Sequence, residues 1–367
     1  MNNRFCFWAI IASLLILIGL TGCSGVVKPV SWEAPINPGY TGVYAENEIL
    51  KAVEHFSLGG EEGPECITVD AEGRIYASTL NGKIVRMEPD CSRPAVWAET
   101  GGRPLGIVFD KSGNLIVADA YRGLLSVSPD AVVTELATEA GGIPIRYAND
   151  ADVADDGRIF FSDASTKFGA REFGGTLEAC VIDTMEHGGH GRLLCYHPDT
   201  GQVETLLTGI NFANGVAVSH DQQFVLLSET TNYRIIRYWI AGEKKGRHDY
   251  ILEALPGFPD NITTGMNGLF WIALVSPRVG MVDSLSESPT IRSIGAGLPG
   301  FMRPGPKDYS HVIAINQDGQ VIYNLQDPDG GYPMISSARE AADYLYLGSL
   351  TEKSIGRLNK KNFRPEP

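Results

Sequence analysis

One short sequence pattern, repeated in five copies after residue 60, constrains the fold more than any other feature of the chain. Each copy joins an apolar run, a tight polar turn and a second apolar run, as in ITVDAEGRIYAS, IVFDKSGNLIVAD, ADVADDGRIFFSD, VAVSHDQQFVLLSE and ITTGMNGLFWIAL. This pattern is typical of a β-hairpin. Third strands follow in GKIVRMEP, GRLLCYHP and YRIIRYWI, and fourth strands in PAVWAET, VVTELAT and VETLLTG. Four-stranded units spaced by roughly 40 to 50 residues predict a β-propeller.

The repeat predicts six blades and the way in which the ring closes. Units start near Gly63, Arg103, Tyr147, Phe212 and Gly257. A sixth unit covers ISSAREAADYLYLGS and SIGRLNK but lacks its last strand. The N-terminal segment ILKAVEHFSL is the predicted donor, because an open blade leaves unpaired strand edges. We therefore predict an all-β, six-bladed propeller over 46–360, with 361–367 as a tail.

Two segments interrupt the repeat. They are residues 167–191 and residues 279–307, and the second is predicted to be partly helical. Connections of this length within a compact domain usually cap a site or contact a partner. We expect substrate specificity to reside in these two segments.

The first 22 residues are predicted to be an export signal. A short basic start precedes an almost wholly apolar stretch at 6–20, which is shorter than the roughly 18–20 residues that span a bilayer. The sequence Leu-Thr-Gly-Cys that follows is similar to a bacterial lipobox, in which Cys23 would be lipidated. The prediction is an exported lipoprotein on the periplasmic side of a membrane, with a signal-anchor as the alternative. Residues 23–45, rich in Gly, Pro and Ser, would form a tether.

Charge and cysteine content narrow the function further. A formal net charge of −14 argues against nucleic-acid binding, which needs a basic face, and suits solubility, hard cations or neutral and cationic small molecules. Beyond Cys23, four cysteines follow the signal, and an exported chain can pair them. Cys180 and Cys195 flank one interruption and are the preferred disulfide, whereas the alternative treats Cys66, Cys91, Cys180 and Cys195 as small buried hydrophobes.

The register of the first strands predicts a metal site on the propeller axis. Counting back eight residues from the turn of each unit gives Glu65, Leu105, Asn149, Asn214, Asp260 and Ile335. Residues in one register surround one point, because the innermost strands line the axial channel. Two carboxylates and two amide carbonyls are hard ligands suited to Ca²⁺, whereas zinc favours His or Cys. For any one of these residues the alternative is simple turn capping.

Several phrases along the chain carry a family resemblance. They are GPE (63–65), GRPLGI (102–107), ANDADV (148–153), FFSDAS (160–165), ANGVAVS (213–219), SETTNYRIIRYW (228–239), PGFPDN (256–261) and LYLGS (345–349). Together they resemble the strictosidine-synthase-like proteins, especially the branch with the adipocyte plasma-membrane-associated protein, over residues 60–358. The resemblance to gluconolactonases and paraoxonases is more distant.

The resemblance implies a six-bladed propeller and, in its lactonase and paraoxonase members, an axial Ca²⁺. By motif match, the family's metal ligands correspond to Glu65, Asn149, Asn214 and Asp260, which the register also selects. Asn261 matches an additional paraoxonase ligand. Two departures limit the implied chemistry. The paraoxonase histidine base falls at about the register of Leu105, and leucine cannot take a proton. The strictosidine synthase glutamate is expected where this chain reads Ser336-Ser337-Ala338.

The predicted function is calcium-dependent hydrolysis of a small-molecule lactone or aryl ester, because a channel Ca²⁺ can polarise a carbonyl and stabilise the oxyanion. Asp260 is the first candidate for the base. Arg146 could clamp a substrate carboxylate or oxyanion, like a similarly placed arginine in gluconolactonases, and the alternative is a surface arginine. His187 and His190, in MEHGGHGR, either lend a base from a loop over the channel or lie in solvent. The alternatives are a non-catalytic ligand-binding propeller with a structural metal, and a condensing enzyme related to strictosidine synthases.

Overall fold

The computed structural model of the protein describes residues 26–303 and 305–363, so the predicted signal and Cys23 lie outside the described residues. Six four-stranded antiparallel sheets follow one another along this part of the chain. The prediction of an all-β, six-bladed propeller is therefore confirmed. A helix long and apolar enough to cross a membrane is absent from the described ranges.

The blades use almost every strand of the described chain. Strand β1 (Glu54–Ser57) belongs to the last blade. Blade one contains β2 (Ile67–Val69), β3 (Ile75–Ser78), β4 (Lys83–Met87) and β5 (Ala95–Glu99), and blade two contains β6 (Pro104–Phe109), β7 (Leu115–Asp119), β8 (Gly123–Val127) and β9 (Val133–Ala137). A small hairpin of β10 (Glu139–Ala140) and β11 (Ile143–Pro144) follows. Blade three contains β12 (Ala148–Val153), β13 (Ile159–Asp163), β14 (Gly191–His197) and β15 (Gln202–Ile210). Blades four to six contain β16 (Ala213–Val218), β17 (Phe224–Glu229), β18 (Arg234–Trp239), β19 (His248–Leu252); β20 (Gly257–Thr264), β21 (Phe270–Pro277), β22 (Ser310–Ile315), β23 (Val321–Asp327); and β24 (Ile335–Glu340), β25 (Tyr344–Ser349), β26 (Ser354–Asn359).

The N-terminal strand closes the sixth blade, as predicted. The strand order of that sheet is β1-β26-β25-β24, and Glu54 lies opposite Arg357. An ion pair reinforces the closure, with Arg357 Nη2 at 2.9 Å from Glu54 Oε2. Closure pairs the β26 edge, which would otherwise expose its backbone donors and acceptors.

Each blade packs on both of its neighbours. Strand β17 is buried along all six of its residues, because both faces of the blade are covered. Its alternating side chains therefore enter two different cores: Leu226 packs with Ile272 of blade five, and Leu227 packs with Phe160 of blade three. This two-sided burial explains why the strands read as continuous apolar runs in the sequence.

The two interruptions of the repeat form a cap over one end of the channel. The first contains helix α1 (Thr176–Glu186), and the second contains α2 (Gly280–Ser284) and α3 (Pro289–Ala296), which confirms the prediction of helix there. Helix α1 packs on α3. Ile182 of α1 and Ala296 of α3 share a buried cluster with Phe168 and Val27.

The segment predicted to be a tether is instead packed over its described part, and that prediction is wrong for residues 26–45. We call residues 26–40 the strap. The Val30 amide donates to the Glu186 carbonyl at 2.8 Å, and the Trp32 ring stacks on His187 with 3.9 Å between centroids. Tyr44 lies in the core between blades four and five. Apolar side chains in this segment find buried sites, and their burial outweighs the flexibility that its Gly, Pro and Ser content suggested.

The predicted disulfide does not form. Cys66, Cys91, Cys180 and Cys195 are all free thiols. Cys195 packs between blades three and four, whereas Cys180 lies on helix α1 of the cap. Three of the four, all except Cys180, are buried, which agrees with the alternative of small buried hydrophobes.

Candidate functional site

The inner strands of the blades share an irregularity that sequence reasoning missed. The pairing register shifts between Ala148 and Ala151 in β12, between Ala213 and Val216 in β16, and between Pro259 and Ile262 in β20. A β-bulge of this kind re-aims the side chains within it. The bulged residues include Asn149, Asn214, Asp260 and Asn261, four members of the predicted ligand set.

These bulges bring the predicted set together at one end of the channel. We call Glu65, Asn149, Asn214, Asp260 and Asn261 the axial ring. Each member is at most 5% exposed. Four of them line a single cavity, and Asn261 contacts Glu65 beside it.

Hydrogen bonds orient the amides of the axial ring. Asn214 Nδ2 donates to Asp260 Oδ1 at 2.6 Å, and Asn261 Nδ2 donates to Glu65 Oε1 at 2.9 Å. Four buried oxygens then have no hydrogen-bond partner among the described residues, namely Glu65 Oε2, Asn149 Oδ1, Asn214 Oδ1 and Asn261 Oδ1. Because an unpaired buried acceptor costs about 1–3 kcal/mol, this set of oxygens is the group that could hold a hard cation.

Burial disfavours the charged form of both carboxyl groups of the axial ring. Burial, together with the charge of Asp260, raises the pKa of Glu65 well above its ordinary value. Burial raises the pKa of Asp260 to about 7, while the hydrogen bond from Asn214 opposes this shift. No described residues form a cluster of three or more His, Cys, Asp or Glu side chains suited to a metal, so the ring's donor set consists of amides and only two carboxylates.

The sixth blade departs from the predicted register. Its first hairpin pairs Glu340 with Leu345, which leaves a turn of 341–344, whereas Val69 pairs with Ile75 around 70–74 in blade one. The turn of blade six is one residue shorter than that of blade one. Counting back eight residues from it therefore gives Ile335, one residue before the position that corresponds to Glu65. The β24 bulge therefore falls on Ser336, whose Oγ donates to the Glu65 carbonyl at 2.6 Å, and Ile335 lies between blades.

The cavity above the ring has a polar floor and apolar walls. Its volume is about 550 Å³. Leu105, Tyr147 and Phe212 border it near the floor, and the cap closes over them. Most of its walls come from the cap helices and the loops that join them to the blades.

Arg103, and not the predicted Arg146, is among the arginines that line the cavity. Arg146 is absent from the cavity lining, its side chain is 41% exposed, and its Nη1 lies 3.6 Å from Glu172 Oε1. Arg103, which the sequence analysis used only to mark the start of a blade, lines the cavity and is 2% exposed. Its position two residues before Leu105, in GRPLGI, is the signal that could have identified it.

The histidines of the first interruption belong to the cap core. His187 is buried against Trp32, its Nε2 lies 3.0 Å from Asn232 Oδ1, and burial lowers its pKa to about 3. His190 Nε2 lies 2.7 Å from Glu186 Oε1. Neither histidine is among the residues that line the cavity, so neither supplies a base to it in this conformation.

Comparisons with known proteins agree with this architecture. A family model described as strictosidine synthase matches residues 149–243, and one described as strictosidine synthase-like, N-terminal, matches residues 42–87. A solved gluconolactonase from Xanthomonas campestris has a TM-score of 0.61 at 17% identity, covering 90% of this chain and 98% of its own. Regucalcin from Agrobacterium tumefaciens, described as a calcium-binding protein, has a TM-score of 0.58 at 15% identity, covering 83% and 93%. At these identities the two structures support the fold alone.

Sequence relatives are considerably closer. The adipocyte plasma membrane-associated protein of Gallus gallus is 35% identical, covering 97% of this chain and 90% of its own. Strictosidine synthase-like protein 13 of Arabidopsis thaliana is 33% identical, covering 83% and 82%. With identity above 30% over most of both chains, the protein belongs to the strictosidine synthase-like family.

Proposed function

We propose that the protein is a calcium-dependent hydrolase of lactones or aryl esters. The observation that carries the proposal is the axial ring, in which four buried oxygens lack a partner among the described residues, at the floor of the capped cavity. Carboxylate and amide oxygens are the ligands that Ca²⁺ prefers, and the ring contains both. The donor set therefore fits one calcium ion, held by Glu65, Asn149, Asn214, Asp260 and Asn261.

The residues of the cavity have distinct proposed roles. A bound calcium ion would supply Lewis-acid polarisation of the substrate carbonyl. Asn214 holds Asp260 in place through the 2.6 Å hydrogen bond. Asp260 borders the cavity and is the carboxylate proposed to take the proton of the attacking water. Apolar side chains of the cap cover much of the cavity, and the lower polarity there would strengthen electrostatic interactions on the floor.

A non-catalytic ligand-binding propeller is the second candidate function. It is favoured by Leu105, which occupies the bulge of β6 and lines the cavity where the family resemblance places a histidine base. The condensing reaction of strictosidine synthases is supported by the family-model match alone. Ser336, in the region where that enzyme's glutamate is expected, is fully buried and is bonded to the Glu65 carbonyl.

A panel of lactones and aryl esters, assayed with calcium and with a chelator, tests the proposal. We expect calcium-dependent turnover of at least one substrate, and a fall in calcium affinity of more than tenfold (about 1.4 kcal/mol) in Asp260→Asn. Asp249→Asn is the matched control, since Asp249 pairs with Arg237 on an outer strand. Calcium binding measured by calorimetry that is the same in both variants contradicts the axial site. Calcium binding without turnover of any substrate favours the binding propeller.

We also propose that the N-terminal segment holds the protein at a membrane. The support is the apolar stretch at 6–20, the Leu-Thr-Gly-Cys sequence, and the name of the Gallus gallus relative, which is membrane-associated. Lipidation of Cys23 is the specific form proposed. Mass spectrometry of the mature protein should find a diacylglyceryl group on Cys23 that Cys23→Ser lacks. An unmodified Cys23 contradicts lipidation and leaves the signal-anchor.

A further inference from the structure

Arg103 is a buried cation whose guanidinium forms no hydrogen bond or ion pair with a carboxylate among the described residues. Its one side-chain hydrogen bond among the described residues runs from Nη1 to the Pro104 carbonyl at 3.2 Å, and its Nε has no partner there. Arg192, also buried, shows the usual arrangement, with its Nε and Nη2 at 3.0 and 2.6 Å from Asp163 Oδ2. Burying a charge is costly unless it is paired, so the free donors of Arg103 indicate that a ligand completes the site.

Arg103 borders the same cavity as the axial ring, so the missing partner is a ligand of that cavity. Within the described residues, its side chain forms no ion pair with either carboxylate of the ring. The charges of Glu65 and Asp119 act on the guanidinium at a distance, without a hydrogen bond from its side chain to either carboxylate. A divalent ion would balance the two carboxylates of the floor, and the guanidinium would then present its positive charge to a ligand. The floor with its proposed ion therefore favours a ligand that carries a single negative charge.

The cap determines the rest of the ligand. The walls of the cavity include Leu177 and Val181 of α1, Val282 of α2, and Ile291 and Ile294 of α3. Leu177, Ile291 and Ile294 are also about half exposed, at 50%, 51% and 52%. These side chains reach from the cavity to solvent, so the mouth as well as the wall is apolar. A ligand matched to this surface has an apolar body behind its charged head.

We infer that Arg103 binds the carboxylate of an apolar monocarboxylic acid whose chain or ring lies among the cap helices. The inference deepens the proposed hydrolase, because such an acid is the product of an apolar ester or lactone. Water adds to the carbonyl carbon, the acyl carbon–oxygen bond breaks, and the products are an alcohol group, a carboxylate and a proton. An arginine fork matches the planar carboxylate in geometry and charge.

Calorimetry with decanoate and its neutral analogue decanamide, in excess calcium and below micelle-forming concentrations, tests the charged head. The wild type should bind decanoate at least tenfold more tightly than decanamide. Arg103→Met should remove most of this preference and leave decanamide binding within threefold, and Arg103→Lys should keep part of it. Arg146→Met is the matched control, because Arg146 is exposed and lies outside the cavity lining.

Two outcomes overturn the role of Arg103. One is equal affinity for decanoate and decanamide in the wild type, a measurement that does not depend on any variant folding. The other is a full charge preference in Arg103→Met with an unchanged melting temperature, which assigns the carboxylate to the metal instead.

A chain-length series from hexanoate to decanoate tests the apolar body. Affinity should rise by about fourfold for each methylene that leaves water, equivalent to about 0.8 kcal/mol. Affinity independent of chain length overturns the assignment of the cap as the binding wall.

The same samples separate this inference from the proposed hydrolase. Arginine-dependent decanoate binding with no turnover of esters or lactones leaves the inference standing for a free fatty acid and removes the hydrolase. Turnover in the wild type with no inhibition by decanoate, and with KM unaffected by Arg103→Met, removes the inference and leaves the hydrolase.

Discussion

Glu65 on the floor of the cavity and Glu186 in the cap are partnered in opposite ways. On the floor, Glu65 has one oxygen without a partner in the described part of the chain, and its pKa is raised by burial and by the charge of Asp260. In the cap, Glu186 accepts hydrogen bonds from Lys167 at 2.6 Å and from His190 at 2.7 Å. Burial alone would raise the pKa of Glu186, but these partners lower it. Glu186 therefore has its hydrogen-bond partners within the protein and stabilises the cap, whereas the unpaired oxygen of Glu65 is available to a ligand.

The two regions also differ in how they depend on the chain. The floor is part of a closed ring in which every blade packs on two neighbours. The cap is added to that ring and is joined to it by the strap. Arg292 illustrates the joint, because its guanidinium donates to the carbonyls of Met185, Val30 and Ser286, which lie on three different segments. We therefore expect the ring to fold without the cap contacts, but not the reverse.

The largest expected effect separates the strap from the closing strand. A chain that starts at Tyr40 lacks most of the strap but keeps Tyr44 and β1, and it should fold cooperatively with a cap that proteases cleave readily. A chain that starts at Leu58 lacks β1 as well, and its open sixth blade should prevent folding to a stable monomer. Circular dichroism melts and limited proteolysis provide the measurement. Similar cooperative melting of both chains contradicts the closed-ring account.

A matched pair of core truncations sharpens the same comparison. Leu227→Ala opens a cavity between blades three and four and should cost about 2–5 kcal/mol of global unfolding free energy. Ile182→Ala removes a similar side chain from the cap cluster and should instead lower local stability, because sub-global opening exposes it. Denaturant titration reports the first loss and amide hydrogen exchange in α1 reports the second. Equal losses of global unfolding free energy in the two variants would mean that the propeller and the cap unfold as one unit.

Asn149, an amide of the axial ring, tests whether the metal site on the floor is catalytic or only structural. Asn149→Ala removes an unpaired oxygen from the floor and leaves the blade cores intact. A reacting group misplaced by about 1 Å can cost on the order of a hundredfold in rate, so kcat on a turned-over ester should fall by about that factor at saturating calcium. The melting temperature should change little. Asn316→Ala, in a polar turn, is the control. Activity that merely follows the folded fraction leaves the ion structural.

The smallest expected effect is a pH dependence of stability, to which buried carboxyls of both the channel and the cap contribute. In the cap, burial raises the pKa of Asp183 on α1 to about 7. Burial raises the folded-state pKa of Asp260 to about 7 and that of Asp150 to about 8, both above the ordinary value near 4. A carboxyl group whose pKa is raised in the folded state stabilises the fold at low pH, and this stabilisation is lost as pH rises through the folded-state pKa. The calcium-free protein should therefore melt a few degrees lower at pH 8 than at pH 6.5.

Calcium provides the control for that experiment, because its ligands bind as carboxylates. The gain in melting temperature from excess calcium should grow between pH 6.5 and pH 8 and should shrink in Asp260→Asn. A gain that does not change with pH contradicts the assignment of the axial carboxyls.

The repeat, read from sequence alone, predicted the six-bladed propeller and most of the polar residues on the floor of its cavity. Local patterns suffice there, because each hairpin carries its own turn signal and all blades must meet at one axis. The turns behave as predicted: Gly73 and Gly157 have φ of 81° and 86°, and Gln222 takes the same region at 58°. The register that these turns set is the reason that Glu65 and Asn214 could be identified without coordinates.

Only the tertiary structure decided what surrounds that floor. The shorter turn of blade six places Ser336 in the ring register, and nothing in local sequence specifies that length in advance. Arg103 and Arg146 carry the same charge and both lie next to blade starts, but packing buries the first and exposes the second. The cap has no repeat from which to predict its conformation. Its contacts join segments far apart in the chain, such as Val30 and Arg292, and long-range packing of that kind has no local signal.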